Sequence, residues 1–319
     1  MKKAVLLLVS ILMLAACACG EPAEPANGLI LSTGDETGTY YQYGLLLSHK
    51  VNTATTTFVA AVASEGSKGN IQALARDEAQ FAFTQYDAML YARQGTETFQ
   101  SDGPNESFSV VAALYPETVH IVTLDPGIRS VADLAGRRVS VGPAGSGSWF
   151  NAVDVLNAYG MTEEDIVLCQ YTQRDALDAF LDGKLDAAFV VAGAPVRTIT
   201  ALTEERQVYL VGLEEDKIEK LIAEGPAYSR AVIAADVYGT TGDCATVAVD
   251  ALLIADNDVS DDAVYDFIRG IFDNAPALKK ESPFARYLSL EFAGSVTGVP
   301  YHPGAARYFS EHGISVPAA

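Results

Sequence analysis

Basic residues are scarce in this chain: 21 Lys and Arg stand against 41 Asp and Glu, a formal charge of −20 over 319 residues. A surface this negative repels phosphate backbones, which excludes nucleic acid as a partner. It also offers an anionic bilayer no attraction by charge. The four cysteines and four histidines show no metal-ligand spacing, so no metal site is expected. No apolar run is long enough to hold the chain across a membrane. Enzyme motifs are missing too: there is no Gly-x-Ser-x-Gly elbow and no His-Glu-x-x-His pair. No Gly-Lys-Ser/Thr phosphate loop or dinucleotide fingerprint occurs either. His49, His120, His302 and His312 are scattered and read as structural. Asp256-Asn257-Asp258 with Asp261 and Asp262 lacks the glycine and distal glutamate of an EF-hand loop, and reads as a solvated loop capping the next helix.

What remains is a globular composition, 49% hydrophobic and 19% charged, on a chain long enough for two cores. Its start is different. Lys2 and Lys3 precede an apolar run from Ala4 to Leu14, then Ala15, Ala16 and Cys17, which is the layout of a secretory signal. Leu14-Ala15-Ala16-Cys17 also resembles the bacterial lipobox, which implies acylation of Cys17 as the mature N-terminus. Cleavage by an ordinary signal peptidase, or an uncleaved anchor, fits the same residues. Residues 18–27 are Pro-rich and unpatterned, a tether between lipid and fold. With Cys17 lipidated and Cys19 in the tether, Cys169 and Cys244 remain, open to a disulfide or to two buried thiols.

After the tether, short apolar strands alternate with helical patterns, which predicts an α/β fold with mixed, mostly parallel sheets. Strands are expected at 29–33, 57–63, 80–83, 110–114, 118–124, 138–142, 185–191 and 246–254. Helices are expected from Thr39 to Val51, Ser67 to Arg76, Tyr86 to Arg93, the 143–148 loop to Gly160, Thr172 to about Gly183, Asp261 to Ala275 and Gly304 to Gly313. Ser130 with Asp133, and Thr172 with Asp175, form capping boxes. Strand–helix units occur on both sides of residues 118–124, so the chain builds one lobe, crosses to a second and returns. Val119–Thr123 and Val247–Leu253 are the expected crossings. The division is therefore a signal at 1–16, a lipidated tether at 17–27, lobe one at 28–118 plus 250–319, and lobe two at 119–249.

Three strand-to-helix junctions carry small or hydroxylated residues: Gly34 to Tyr41, Ser64 to Ser67, and Gly142 to Ser148. Free backbone N–H groups and the positive helix end make each a ready site for an anion. Ligands of open α/β sheets bind beyond the strand carboxyl ends, where such loops lie.

At these loops the sequence resembles the TAXI-type solute-binding proteins of TRAP (tripartite ATP-independent periplasmic) transporters. The matching stretches are Thr33-Gly34…Gly38-Thr39-Tyr40-Tyr41…Gly44, Leu114-Tyr115-Pro116-Glu117-x-Val119-His120, Val139-x-Val141-Gly142-Pro143-x-Gly145-Ser146-Gly147, and Asp182 to Phe189 running to Gly193-Ala194-Pro195. They span residues 28 to about 200 in order, with the tail similar more loosely. The resemblance implies a two-lobe, type II periplasmic-binding fold with a hinge, no enzymatic activity and no cofactor. It further implies a small carboxylate or amino acid of glutamate or glutamine type as ligand, and a TRAP membrane permease as partner. The protein would be an extracytoplasmic monomer held to the membrane by its lipid.

Carried over by motif, the ligand residues are Gly38, Thr39, Tyr40, Tyr41, Ser64, Ser67 and Gln85 from lobe one, and Tyr115 at the crossing. Lobe two adds Gly145, Ser146, Gly147, Ser148, Gly193 and Pro195. One departure is Glu65, where the family typically has glycine. With Asp35 and Glu36 it sets carboxylates beside the anion site, repelling an anion or answering an ammonium. Lys68, Arg174 and Arg197 are the nearby cations, expected mostly on solvated faces. Two other readings use the same cleft: a lipid-tethered sensor partnering a signalling receptor, and, without a visible nucleophile–base pair, an enzyme.

Overall fold

A computed structural model describes residues 28–223 and 227–319. The signal, Cys17, Cys19 and the rest of the tether lie outside the described residues. In chain order the elements are β1 (Leu29–Ser32), α1 (Thr39–Ala54), β2 (Val59–Val62), α2 (Ser67–Ala75), β3 (Phe81–Gln85), α3 (Tyr86–Gln94), β4 (Phe108–Thr123), β5 (Arg138–Ser140), α4 (Gly147–Ala158), β6 (Val167–Cys169), α5 (Gln173–Leu181), β7 (Ala187–Ala192), α6 (Arg197–Glu205), β8 (Tyr209–Leu210), α7 (Glu215–Ala223), β9 (Tyr228–Ile233), α8 (Ala235–Tyr238), β10 (Cys244–Asp256), α9 (Asp261–Phe272), α10 (Ala275–Glu281), α11 (Leu290–Ala293) and α12 (Pro303–Glu311).

The strands form one curled sheet in the order β2-β1-β3-β10-β4-β7-β5-β6, with β8 beside β4 and β9 beside β10. Pairing is parallel among β1, β2 and β3 and among β5, β6 and β7, as their helical crossovers require. The two long strands β4 and β10 are antiparallel to each other and run through both halves. One apolar core packs α1, α2, α3, α9 and α12 against the β1–β3 end, from Leu31, Phe81 and Phe83 to Phe267 and Phe309. Two further cores enclose the β5–β7 end, around Val139, Leu156 and Phe189, and around Phe180, Ile199 and Leu202. Each end thus buries its own apolar surface, which makes it a lobe. The boundaries expected at 118/119 and 249/250 fall inside β4 and β10, and we retain them as a proposed division.

Several expectations shift. The strands expected at 110–114 and 118–124 are one strand, although proline normally ends a central strand. Pro116 is tolerated because β7 pairs with β4 only from Thr118 onward, and the β10 ladder changes register between Ala251 and Leu252, beside it. The helix expected from Asp261 to Ala275 ends at Phe272, and Pro276 opens α10 in its first turn. The segment from 197 to 238, for which the sequence suggested no elements, holds α6, β8, α7, β9 and α8. Cys169 and Cys244 are free thiols, the second buried. Asp256 accepts from the Asp258 N–H at 2.8 Å and Ser260 caps α9.

Candidate functional site

A cleft enclosing about 110 Å³ lies where the loops of both lobes face each other. Lobe one contributes the β1–α1 loop, the β2–α2 loop, Gln85 at the end of β3, and Glu117 from β4; lobe two contributes the β5–α4 loop, Tyr171 to Gln173 and the inner face of β7. The cap residues of α1, α2 and α4 (Gly38, Gly66 and Ser146) all line it, so three helix N-termini converge there. Glycine shapes the lobe-two loop: Gly142 has φ +90°, and a Cβ there would stand 2.8 Å from the Ser146 hydroxyl.

Of the residues expected from sequence, Gly38, Thr39, Tyr40, Ser67, Gln85, Ser146, Gly147 and Ser148 line the cleft. Most of their hydroxyls are already engaged. Ser67 accepts from the Gln85 N–H at 3.2 Å, Ser146 caps the Trp149 N–H at 3.3 Å, and Ser148 accepts from the Val191 N–H at 3.0 Å. Gly147 acts through what it lacks. A Cβ there would overlap Gln85 Oε1, so only glycine lets the lobes approach at this point.

The remaining expected residues lie off the cleft wall. Ser64 donates to Asn70 at 2.6 Å and shapes the β2–α2 loop. Tyr115 is fully buried among Tyr43 and Phe284, with ring centroids 5.5 and 5.2 Å away. Gly193 packs beneath Phe284, where a Cβ would meet the ring at 2.5 Å. Gly145 accepts from the Lys68 N–H at 3.3 Å, joining the lobes through backbone. Tyr41 is half-buried on α1, and Pro195 is exposed just before α6.

Sequence reasoning passed over Glu117, although it stood within a matched motif. Its carboxyl is 3% exposed; Tyr40 donates to it at 3.0 Å and Tyr115 at 3.4 Å, and Gln85 adds a side-chain hydrogen bond. Burial pushes it up to about 8, with the Asp87 charge adding to the rise against these hydrogen bonds. Nothing in the local sequence marks a carboxyl as buried, so this needed the fold.

The second unforeseen feature spans the lobes behind the cleft. Asn151 of α4 donates to Asp87 of α3 at 2.5 Å and to the Tyr228 hydroxyl at 2.8 Å, while Tyr91 and Tyr228 donate to Asp154 at 3.0 and 2.7 Å. Asp87 is 1% exposed; burial and then the Asp154 charge raise it to about 7.

The cations suggested by sequence do not reach the cleft. Lys68 donates to the Thr98 carbonyl at 2.6 Å and sits over the Phe99 ring, Arg174 pairs with Asp178, and Arg197 is exposed at the start of α6. Among the described residues lining the cleft there is no Lys, Arg or His; the charged ones are Asp35, Glu65 and Glu117.

A family model matches residues 31–313, almost the whole folded part. The chain belongs to the NMT1-like family. Among solved structures, this NMT1-like chain is similar to the alkanesulfonate-binding protein SsuA from Xanthomonas axonopodis pv. citri bound to MOPS, at 18% identity and TM-score 0.52 over 90% of this chain and 84% of that one. It is also similar to a protein from Bordetella bronchiseptica RB50, at 14% identity and TM-score 0.55 over 89% and 88%. At such identities the likeness concerns the fold, the type II periplasmic-binding fold expected from sequence. Among the described residues of this family member, no helix is long and apolar enough to cross a membrane, and no cluster of His, Cys, Asp or Glu is set to hold a metal.

Proposed function

We propose that this NMT1-like protein is an extracytoplasmic solute-binding subunit of TAXI type, which closes on a small carboxylate or amino acid and delivers it to a TRAP-type membrane permease. The carrying observation is a cleft walled by both lobes, on which the caps of α1, α2 and α4 converge. Backbone N–H groups there suit a carboxylate, since helix N-termini bind anions without a cationic side chain. The motif order from Gly34 to Pro195 supports the TAXI assignment. In this reading the protein performs no chemistry, and Cys17 carries the lipid anchor. Ligand contacts fall to Gly38, Thr39, Tyr40 and the α4 N-terminus, while Ser64, Gly145 and Gly193 shape the walls.

Hinged lobes closing on a ligand trap it away from water, and binding then stabilises the closed form by mass action. Titration calorimetry and thermal melting of the mature chain against amino acids, dicarboxylates, keto acids, alkanesulfonates and sugars test the reading. Saturable binding of an amino acid or carboxylate, with a raised Tm and no turnover, is expected. Binding confined to sugars or metals would refute it, and binding confined to sulfonates would redirect it.

A further inference from the structure

Behind the cleft, α3 of lobe one meets α4 of lobe two. A spacing of four sets Asp87 and Tyr91 on one face of α3, and Phe150, Asn151 and Asp154 share one face of α4. Asn151 donates to Asp87 at 2.5 Å and to the Tyr228 hydroxyl at 2.8 Å. Tyr228 and Tyr91 in turn donate to Asp154 at 2.7 and 3.0 Å. Two carboxyls from opposite lobes are thus joined through one amide and one hydroxyl. Phe150 covers the join. It is 4% exposed, packs with the lobe-one core, and lies 5.8 Å from the Tyr91 ring and 6.3 Å from the Phe99 ring. On the cleft side the Lys68 N–H meets the Gly145 carbonyl, so the lobes stand closed.

No cation offsets Asp87. The groups that face it are Tyr91 of its own helix, Asn151 and Asp154 of α4, Tyr228 of β9, Glu117 of β4 and Tyr40 of α1. Cations on the neighbouring elements are held elsewhere: Lys68 by Thr98, Arg76 by Glu78, Arg93 by Glu106, Lys217 by Asp216 and Arg230 by Glu215. Lys220 is exposed in the last turn of α7. A carboxylate buried without a cation is costly. A protonated Asp87 avoids that cost and keeps the join. Asn151 Oδ1 has no partner, so the amide can turn over and accept a hydrogen bond from the acid.

Resting on the hinged, solute-binding reading above, we propose that the α3–α4 contact is a proton-operated latch: closure takes up a proton on Asp87, and loss of that proton lets the lobes part. Neither Asp87 nor Asp154 lines the cleft, so both act by positioning the lobes. Opening returns Asp87 to water and parts it from Asp154. In the closed form, burial and then the Asp154 charge raise Asp87 to about 7, whereas an open, hydrated carboxyl titrates near 4. Between about pH 4 and 7 the closed form therefore holds a proton that the open form has released. The closed-to-open ratio falls by up to tenfold per pH unit as the pH rises through that window, and levels off above it. A solute trapped between the lobes is held more tightly on acidification.

Small-angle scattering of the mature chain at pH 5 and pH 8, without solute, tests the latch independently of any ligand. The wild type is expected to show the larger radius of gyration at pH 8. Asp87→Asn, an uncharged isostere, is expected to keep the pH 5 radius at both values, with its fold checked by circular dichroism. If that variant does not fold, Asp154→Asn takes its place, because removing the opposing charge should shrink the change in radius. A wild-type radius that is equal or smaller at pH 8 overturns the latch. So does a folded variant that keeps the full wild-type response. Either result leaves the solute-binding reading standing, since that reading has its own test in the solute panel.

Discussion

Asn151 donates to Asp87 at 2.5 Å across the boundary between lobes, and the same amide reaches the Tyr228 hydroxyl at 2.8 Å. The contact is sealed from water, so its loss is not repaired by solvent. It links α3 to α4 away from the residues that line the cleft. In the solute-binding reading proposed above, the resting balance between open and closed forms depends on this bond as well as on the solute.

Asn151→Ala is expected to shift that balance toward the open form by about 1–3 kcal/mol, or roughly 5- to 150-fold. Small-angle scattering checks it: the variant's radius of gyration without ligand should exceed the wild type's, and saturating ligand should restore it. Equal radii for the two proteins would show that the bond does not hold the lobes.

Gly147→Ala should separate folding from closure. The added methyl would overlap Gln85 Oε1, which belongs to the opposite lobe, while α4 itself gains a better helix former. Melting temperature without ligand should change by only a few degrees, and solute binding should weaken by tenfold or more. Paired with Gln85→Ala, which removes the obstructing atoms, the alanine should cost far less.

Stability should fall as pH rises between about 6.5 and 8. Glu117 is raised from 4.5 to about 8 and Asp87 from 3.8 to about 7, so across this window the folded chain holds protons that the unfolded chain has released. The raised carboxyls stabilise the fold below their unfolded values and lose that contribution on passing through their folded ones. Burial lowers His120 to about 4 and acts in the opposite sense, but only below 6.5, which leaves the window to the carboxyls. The loss should be on the order of 1 kcal/mol, or a few degrees of Tm in calorimetry. Glu117→Gln should flatten the slope.

Tyr238→Phe should destabilise lobe two by about 1–3 kcal/mol. The hydroxyl accepts from the buried Val196 N–H at 2.7 Å and donates to His120 Nε2 at 3.1 Å. His120 Nδ1 faces the carbonyls of Thr118 and Val190 at 2.8 and 3.1 Å, which fixes the tautomer with its proton on Nδ1. Denaturant melts should show the loss, and ligand affinity should stay within a factor of three, because neither Tyr238 nor His120 lines the cleft.

Much of the architecture was legible because it follows local rules. Short apolar runs bounded by glycine marked β1 and β7, and capping residues such as Thr172 marked helix starts. These signals depend only on near neighbours in the chain. Pro116 misled for the same reason: local rules end a strand at proline, and only the pairing on either side shows that no β7 ladder is interrupted there. The segment from 197 to 238 was silent because its helices are short and its strand β9 lies beside β10, with much of its length exposed.

The cleft divides along the same line. The glycine- and serine-rich loops announce backbone approach wherever they stand, so Gly38, Thr39, Ser146 and Gly147 were readable as a group. Their individual roles were not, since three serine hydroxyls serve the loops that carry them and Gly147 serves lobe closure. The scarcity of basic residues recurs at the cleft wall, where acidic side chains stand without a cation. Composition and patterning determined that the molecule is acidic, globular and built of strand–helix units. Only the tertiary structure decided that Glu117 is buried beside an unpartnered Gln85 Oε1 and that Asp87 meets Asn151, because burial and pairing join residues 32 and 64 positions apart.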